Sequence, residues 1–140
     1  MSIEETYFLT LQDILDIHSE VVGNPCTKTK FLNKNSLLSV VGQVPQNVFG
    51  QDCYPGLWNK AAAYMCLMTW NHPFHDGNKR TAFLSGMIFL EKNNVEIEFQ
   101  QSKGMILMLE ITNKKPKIKD VANTLEEHAH VPTRRSLFRP

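Results

Sequence analysis

Twelve consecutive residues, HPFHDGNKRTAF from His72 to Phe83, gather two histidines, an aspartate, an asparagine, a lysine and an arginine between two apolar runs. The cluster falls where one apolar segment ends and the next begins, so its polar groups are carried at helix ends while the helix bodies fill a core. Asp76 is placed to be the N-cap of the second helix, with Gly77, Asn78 and Lys79 as its first turn. The first N–H groups of a helix have no partner inside it, and the aligned peptide dipoles leave a partial positive charge there. With Lys79 and Arg80 added, that end becomes an anion site suited to phosphate. Gly77, lacking a side chain, lets a ligand approach the backbone.

Asp76 and His72 extend this chemistry. A carboxylate beside bound phosphates repels them unless a divalent cation intervenes, and Mg²⁺ accepts one or two carboxylates together with phosphate oxygens and water. An imidazole exchanges a proton near neutral pH, and His72 lies across the same short loop. Base, metal carboxylate and phosphate-binding terminus together suit phosphoryl or nucleotidyl transfer, where positioning and charge stabilisation carry catalysis. Each residue also has a structural reading. Asp76 caps a helix with or without metal, and Lys79 and Arg80 taken singly are ordinary solvated charges near a helix end. His18, His75, His128 and His130 are read as structural, and Phe74 as the anchor of the loop in the core. The crowding of all these groups between two apolar segments is what favours function.

Two segments must position the cluster. Residues 57–71, whose only charge is Lys60, read as a helix that ends near His72, because a residue before proline avoids helical backbone. From Ala82 to Leu90 the next segment carries no charge on any face, the mark of a helix buried all round. Thr10 and Asp13 resemble a capping box opening a helix in which Leu11, Ile14, Leu15 and Ile17 recur at helical spacing, and Gly23 to Pro25 stop it. Asn35 is the expected cap of a short helix at 36–41. Residues 42–56, with two prolines and three glycines, read as a long loop of the kind that is often functional. Val95 to Phe99 alternate apolar and polar and suit an extended segment, and further helices are expected at 102–112 and 117–129. The expectation is an all-α fold: a compact single-domain bundle of about six helices over residues 1–130, with room for one short hairpin, and a loose basic tail at 131–140.

Bulk properties narrow the classes. A chain of 140 residues has room for one hydrophobic core, and 42% hydrophobic with 21% charged residues is a globular rather than a disordered composition. A net charge of +1 without a basic stripe gives no footprint for direct DNA binding. No run approaches the roughly 18–20 apolar residues that cross a bilayer, and the acids in MSIEETYFLT argue against a signal peptide. Cys26, Cys53 and Cys66 lack C-x-x-C spacing and fit a reducing compartment. A cytoplasmic protein with no membrane partner is expected.

HPFHDGNKRTA resembles, at every specified position, the Fic/Doc (Fido) motif H-x-F-x-[DE]-[AG]-N-[GK]-R. The likeness to the death-on-curing (Doc) toxin branch spans nearly the whole chain, through LTLQDILDIH, FGQDCYPGLWNKAAAYM, FLEKNNVEI and DVANTLEEHA. The family fold is a compact helical bundle, in agreement with the periodicity. By position, the resemblance implies His72 as the general base that takes a proton from a target hydroxyl, Phe74 as packing anchor and Asp76 as the Mg²⁺ ligand. It implies Gly77, Asn78 and Lys79 as the anion-binding turn, with Arg80 neutralising phosphate charge. Residues 48–53 are similar to a flap that aligns a substrate peptide. Lys79 stands where AMP-transferring members carry glycine, and Phe83 where they carry a second arginine; both features resemble the Doc branch.

That branch is associated with transfer of the γ-phosphate of ATP to a threonine of elongation factor Tu and with restraint by a Phd-like antitoxin. The chain lacks the self-inhibitory [ST]-x-x-x-E-[GN] signature. It departs from the family at Leu84, where a phage-borne member has asparagine, at residues 23–35, which lack a G-x-R-D pattern, and in the tail after Val131. The resemblance thus implies a toxin acting as a protein kinase with ATP and Mg²⁺, with AMP transfer, or partner binding without catalysis, as alternatives. A different enzymatic reading takes His75 and Asp76 as part of a metal-dependent phosphohydrolase, which needs further ligands from Asp16, His18, Asp120 or His128.

Overall fold

A computed structural model describes residues 5–23, 31 and 33–128. Six α-helices run through them: α1 (Leu11–Val22), α2 (Lys34–Gln43), α3 (Gly56–Asn71), α4 (Asn78–Lys92), α5 (Gln101–Lys114) and α6 (Ile118–His128). A two-stranded antiparallel hairpin, β1 (Asn47–Val48) with β2 (Gln51–Asp52), lies between α2 and α3. The fold is therefore all-α, as the periodicity implies. The basic tail, His130 and most of the 23–35 segment lie outside the described residues.

The centre of the bundle is the α3–α4 pair. Alanines at 61–63 leave room on α3, and Gly86 brings α4 onto it: a Cβ at Gly86 would stand 2.5 Å from Met65 Cε and 3.0 Å from the Ala61 carbonyl oxygen. Gly104 does the same for α5, where a Cβ would meet the Phe83 ring at 2.5 Å. Polar groups inside this core are satisfied by distant backbone. The Tyr64 hydroxyl accepts the Leu9 N–H at 2.9 Å, and Trp70 Nε1–H donates to the Ile111 carbonyl at 3.0 Å. Burial pushes the Tyr64 phenol far up and the Cys66 thiol to about 12, so Cys66 stays protonated and serves packing.

The capping box of α1 forms as the sequence predicts: Asp13 N–H donates to Thr10 Oγ1 at 3.0 Å, and Thr10 N–H to Asp13 Oδ2 at 2.9 Å. The cap of α2 differs from expectation. Asn33, not Asn35, accepts the Ser36 N–H on its side chain at 3.2 Å, and the helix extends to Gln43. The physical reason is tertiary, because Asn33 N–H is itself held by the Pro73 carbonyl at 3.2 Å. The hairpin forms inside the expected 42–56 loop. Val95, Ile97 and Phe99 are half-buried and Glu96 and Glu98 exposed, so the alternation holds there without a hairpin.

Phe49 and Gly50 take φ of 51° and 79° at the hairpin turn, the left-handed pair that matches strand twist. Lys60, buried in α3, fastens the hairpin by donating to Asp52 Oδ2 at 2.9 Å and to the Tyr54 carbonyl at 2.6 Å. Among the described residues no helix is long and apolar enough to cross a membrane.

Two predictions follow from this packing. Gly86→Ala forces Met65 and the Ala61 backbone apart and should lower stability by about 1–3 kcal/mol in urea titrations. Gly42→Ala, with nothing within 4 Å of its new Cβ and helical backbone, should instead be neutral or stabilising by up to about 1 kcal/mol. The Lys60 hydrogen bond, then that of Asn47, holds the Asp52 carboxyl below the ordinary carboxylate range. A depressed folded value means that the latch is present above the ordinary value and is lost as pH falls through the depressed one. Amide exchange in the hairpin should therefore be acid-sensitive in the native chain, and in Asp52→Asn faster at neutral pH and insensitive to acid.

Candidate active site at the start of α4

α3 stops at His72, which takes left-handed φ and ψ of 46° and 62° while its N–H still reaches the Met68 carbonyl at 3.2 Å. Pro73 removes the helical alternative for His72, and the surroundings hold the less favoured conformation in place. The chain then dives inward. Pro73 and Phe74 are buried, and the Phe74 ring stacks between His18 of α1 (3.7 Å between centroids, 12°) and Phe31 (5.6 Å, 22°). Phe74 is the anchor that the sequence reading expects.

Asn78, the first residue of α4, is buried and closes the loop with its amide. Its Oδ1 accepts Phe74 N–H at 3.1 Å, and its Nδ2 donates to the Phe74 carbonyl at 2.8 Å and approaches His72 Nδ1 at 3.3 Å. The two Phe74 bonds fix which end of the amide is nitrogen, so His72 Nδ1 faces a donor and the neutral ring carries its proton on Nε2. The Asn78 side chain is thereby committed to the loop, which leaves only its backbone N–H for a ligand.

The N-cap of α4 is Gly77, at φ 75°, without a side-chain cap. This corrects the expectation that Asp76 caps the helix. The Asp76 carbonyl is drawn inward to His18 Nε2 at 3.0 Å, which leaves the next residue to open the helix. The reason for glycine also differs from expectation. A Cβ at Gly77 would lie 2.9 Å from Val22 Cγ1 and 3.2 Å from Val21 Cγ1, so α1 packs against the face where ligand access was expected. The first backbone rung of α4 is Thr81 N–H to the Gly77 carbonyl at 2.9 Å, and the amides before it are left for another acceptor.

Around this terminus the charged groups are open. Asp76 and Arg80 are exposed, Lys79 is half-buried, and none makes an ion pair or side-chain hydrogen bond among the described residues. His72 is exposed as well. An unpaired carboxylate, two unpaired cations and a set of open amides on one helix end form a donor set that fits a phosphate ester with a divalent cation. Asp76 would hold the cation and Lys79, Arg80 and the amides the phosphates. The structure thus brings together His72, Asp76, Gly77, Asn78, Lys79 and Arg80. The hairpin is fastened at the other end of α3, about 18 Å along the helix from His72 at Lys60.

The phosphohydrolase alternative finds no support in the arrangement. Among the described residues no three His, Cys, Asp or Glu side chains gather to hold a metal, and His18 is engaged by the Asp76 carbonyl instead. Phe83 is in the core, edge-on to Phe99 at 5.7 Å. Leu84 lines a groove of about 690 Å³ with Met87, Ile88 and the 94–98 segment, away from the loop.

The chain matches the Fic/DOC family over residues 8–90, and it belongs to that family. It is also 32% identical over 122 residues to Toxin Doc of Mycolicibacterium smegmatis, covering 86% of this chain and 92% of that protein, which puts it on the Doc toxin branch.

Asn78→Ala removes the amide that pairs with both backbone groups of buried Phe74. At about 1–3 kcal/mol for each backbone group that loses its partner, it should lower the melting temperature more than Lys79→Ala or Arg80→Ala, whose side chains make no hydrogen bond or ion pair among the described residues; comparison of the three variants by calorimetry checks this.

Proposed function

We propose that this chain is the toxin of a toxin–antitoxin pair and transfers the γ-phosphoryl group of Mg-ATP to a serine or threonine hydroxyl of a protein, with elongation factor Tu as the target and a Phd-like antitoxin as the restraint. The observation that carries the chemistry is the terminus of α4, with Asp76, Lys79 and Arg80 unpaired among the described residues around amides that lack helical partners. Membership of the Doc branch supports the biological role.

In this reading Lys79, Arg80 and the first amides of α4 hold the phosphates and set the γ-phosphorus in line with the hydroxyl. Bound Mg²⁺ at Asp76 supplies charge neutralisation on the phosphate oxygens. The hydroxyl oxygen forms the new P–O bond, the bond from the γ-phosphorus to its bridging oxygen breaks, and ADP leaves. The hydroxyl proton passes to His72 at Nε2. That step requires the tautomer protonated on Nδ1, opposite to the one Asn78 favours, so the His72 ring must give up its 3.3 Å contact with Asn78 Nδ2 before Nε2 accepts the proton. Phosphoryl rather than AMP transfer is favoured because the position of the second arginine of AMP-transferring members is filled by Phe83, 5% exposed and packed on α5.

The purified chain, incubated with elongation factor Tu, should transfer label from γ-labelled and not from α-labelled ATP. Transfer from the α position alone overturns phosphoryl transfer, and nucleotide binding without turnover marks a partner-binding protein. His72→Ala should slow transfer on the order of 10²–10⁴-fold; an unchanged rate removes His72 from the role of base.

A further inference from the structure

We infer that His18, on α1 and outside the motif, is a positioning residue that locks the Asp76–Gly77 peptide plane so that the Gly77 N–H faces the bound phosphate. It rests on the phosphate-binding reading of the α4 terminus. His18 is 3% exposed, stacks flat on Phe74, and places Nε2 3.0 Å from the Asp76 carbonyl oxygen. A carbonyl oxygen only accepts, so Nε2 carries the proton and donates. In a trans peptide the N–H points opposite to the C=O. Drawing the Asp76 carbonyl inward to α1 therefore turns the Gly77 N–H outward, to the side where Asp76 and Arg80 are open.

Such a plane needs a lock. The peptide before a glycine is the one most free to flip, since glycine accepts φ of either sign. A flipped plane would present the Asp76 carbonyl oxygen to the ligand and replace an attraction for phosphate by a repulsion. Packing alone does not ask for imidazole at this position. His18 Nδ1 is buried without a partner among the described residues, a cost that a phenyl ring of similar shape would avoid while keeping the stack on Phe74. What the phenyl ring lacks is the Nε2 donor. Packing of Val21 and Val22 against Gly77 fixes where the turn sits; the His18 bond fixes which way its peptide faces.

The test follows the Gly77 amide by ¹H–¹⁵N NMR in the full chain during titration with Mg-ATP and, separately, with pyrophosphate. In the native protein this amide should shift with both. His18→Phe should keep the melting temperature within a few degrees and weaken Mg-ATP binding about tenfold, the loss of one charge-assisted contact. It should also broaden or shift the Gly77 amide before any ligand is added. His18→Gln, which returns an N–H donor at a similar reach, should recover affinity to within about threefold. Native-like affinity and an unchanged Gly77 amide in His18→Phe would overturn the lock. So would a folded His18→Gln that binds as weakly as a variant without the donor, and this outcome decides the matter if the Phe variant does not fold. A native Gly77 amide indifferent to both ligands overturns the anion site itself and the lock with it. A responsive native amide matched by an equally responsive His18→Phe overturns the lock alone.

Discussion

The central helix α4 is buried on most of its length, and a buried asparagine at each end ties it to backbone from another part of the chain. Asn78 takes both the N–H and the C=O of Phe74 on one amide, and Asn93 takes both the N–H and the C=O of Tyr7 at 2.8 and 2.9 Å. Only a carboxamide carries a donor and an acceptor at this reach; a carboxylate would repel the carbonyl, and an aliphatic side chain would leave both groups orphaned. With its ends fixed to the loop before it and to the segment before α1, α4 cannot slide or rotate. The orientation of its first turn, and hence of the candidate site, is inherited from these two amides.

Much of the fold is legible in the sequence because the local signals and the tertiary structure agree. The Thr10–Asp13 box, the proline after His72 and the uncharged run in α4 are each sufficient to place an element. The boundaries that shift are those where a distant group decides between equal local candidates. Asn33 and Asn35 are both good caps, and the choice falls to Asn33 because its N–H is paired with Pro73 across the fold. The hairpin is hidden for a different reason. Its turn uses Phe49 at positive φ, where asparagine would have announced it, and its strands are too short for alternation to register.

The candidate site is legible as a list of residues and less so as a division of labour. Sequence places the anion-binding role on the whole 77–80 turn, but burial separates it. The Asn78 side chain and the Cα face of Gly77 serve packing against the loop and α1, while Asp76, Lys79 and Arg80 stay open. His18 carries a structural reading when taken alone, since nothing in its neighbours along the chain indicates that it will meet a carbonyl 58 residues further on. Its spacing in α1 puts it on the buried face, and that face meets α4. The pairing itself is a property of the fold.

Charges left without an ion pair among the described residues bear on stability and function as reasons for the cluster. Asp76 stands within four residues of both Lys79 and Arg80, yet the only ion pair among the described residues is Lys60 with Asp52. Exposed pairs contribute only about 0–1 kcal/mol, so leaving these three apart sacrifices little stability. In the proposed reading the gain is that both signs remain available, the cations and amides for phosphate oxygens and the carboxylate for a divalent cation that would accompany them. A carboxylate directly before the positive end of a helix gains a modest dipole attraction of about 0.3–1 kcal/mol, but Asp76 does not add the capping hydrogen bond that would make the position a strong structural one. Its carbonyl faces inward, its side chain faces out, and the cap position belongs to Gly77. The arrangement is consistent with a ligand that brings negative charge and a divalent cation together, which is what Mg-ATP does.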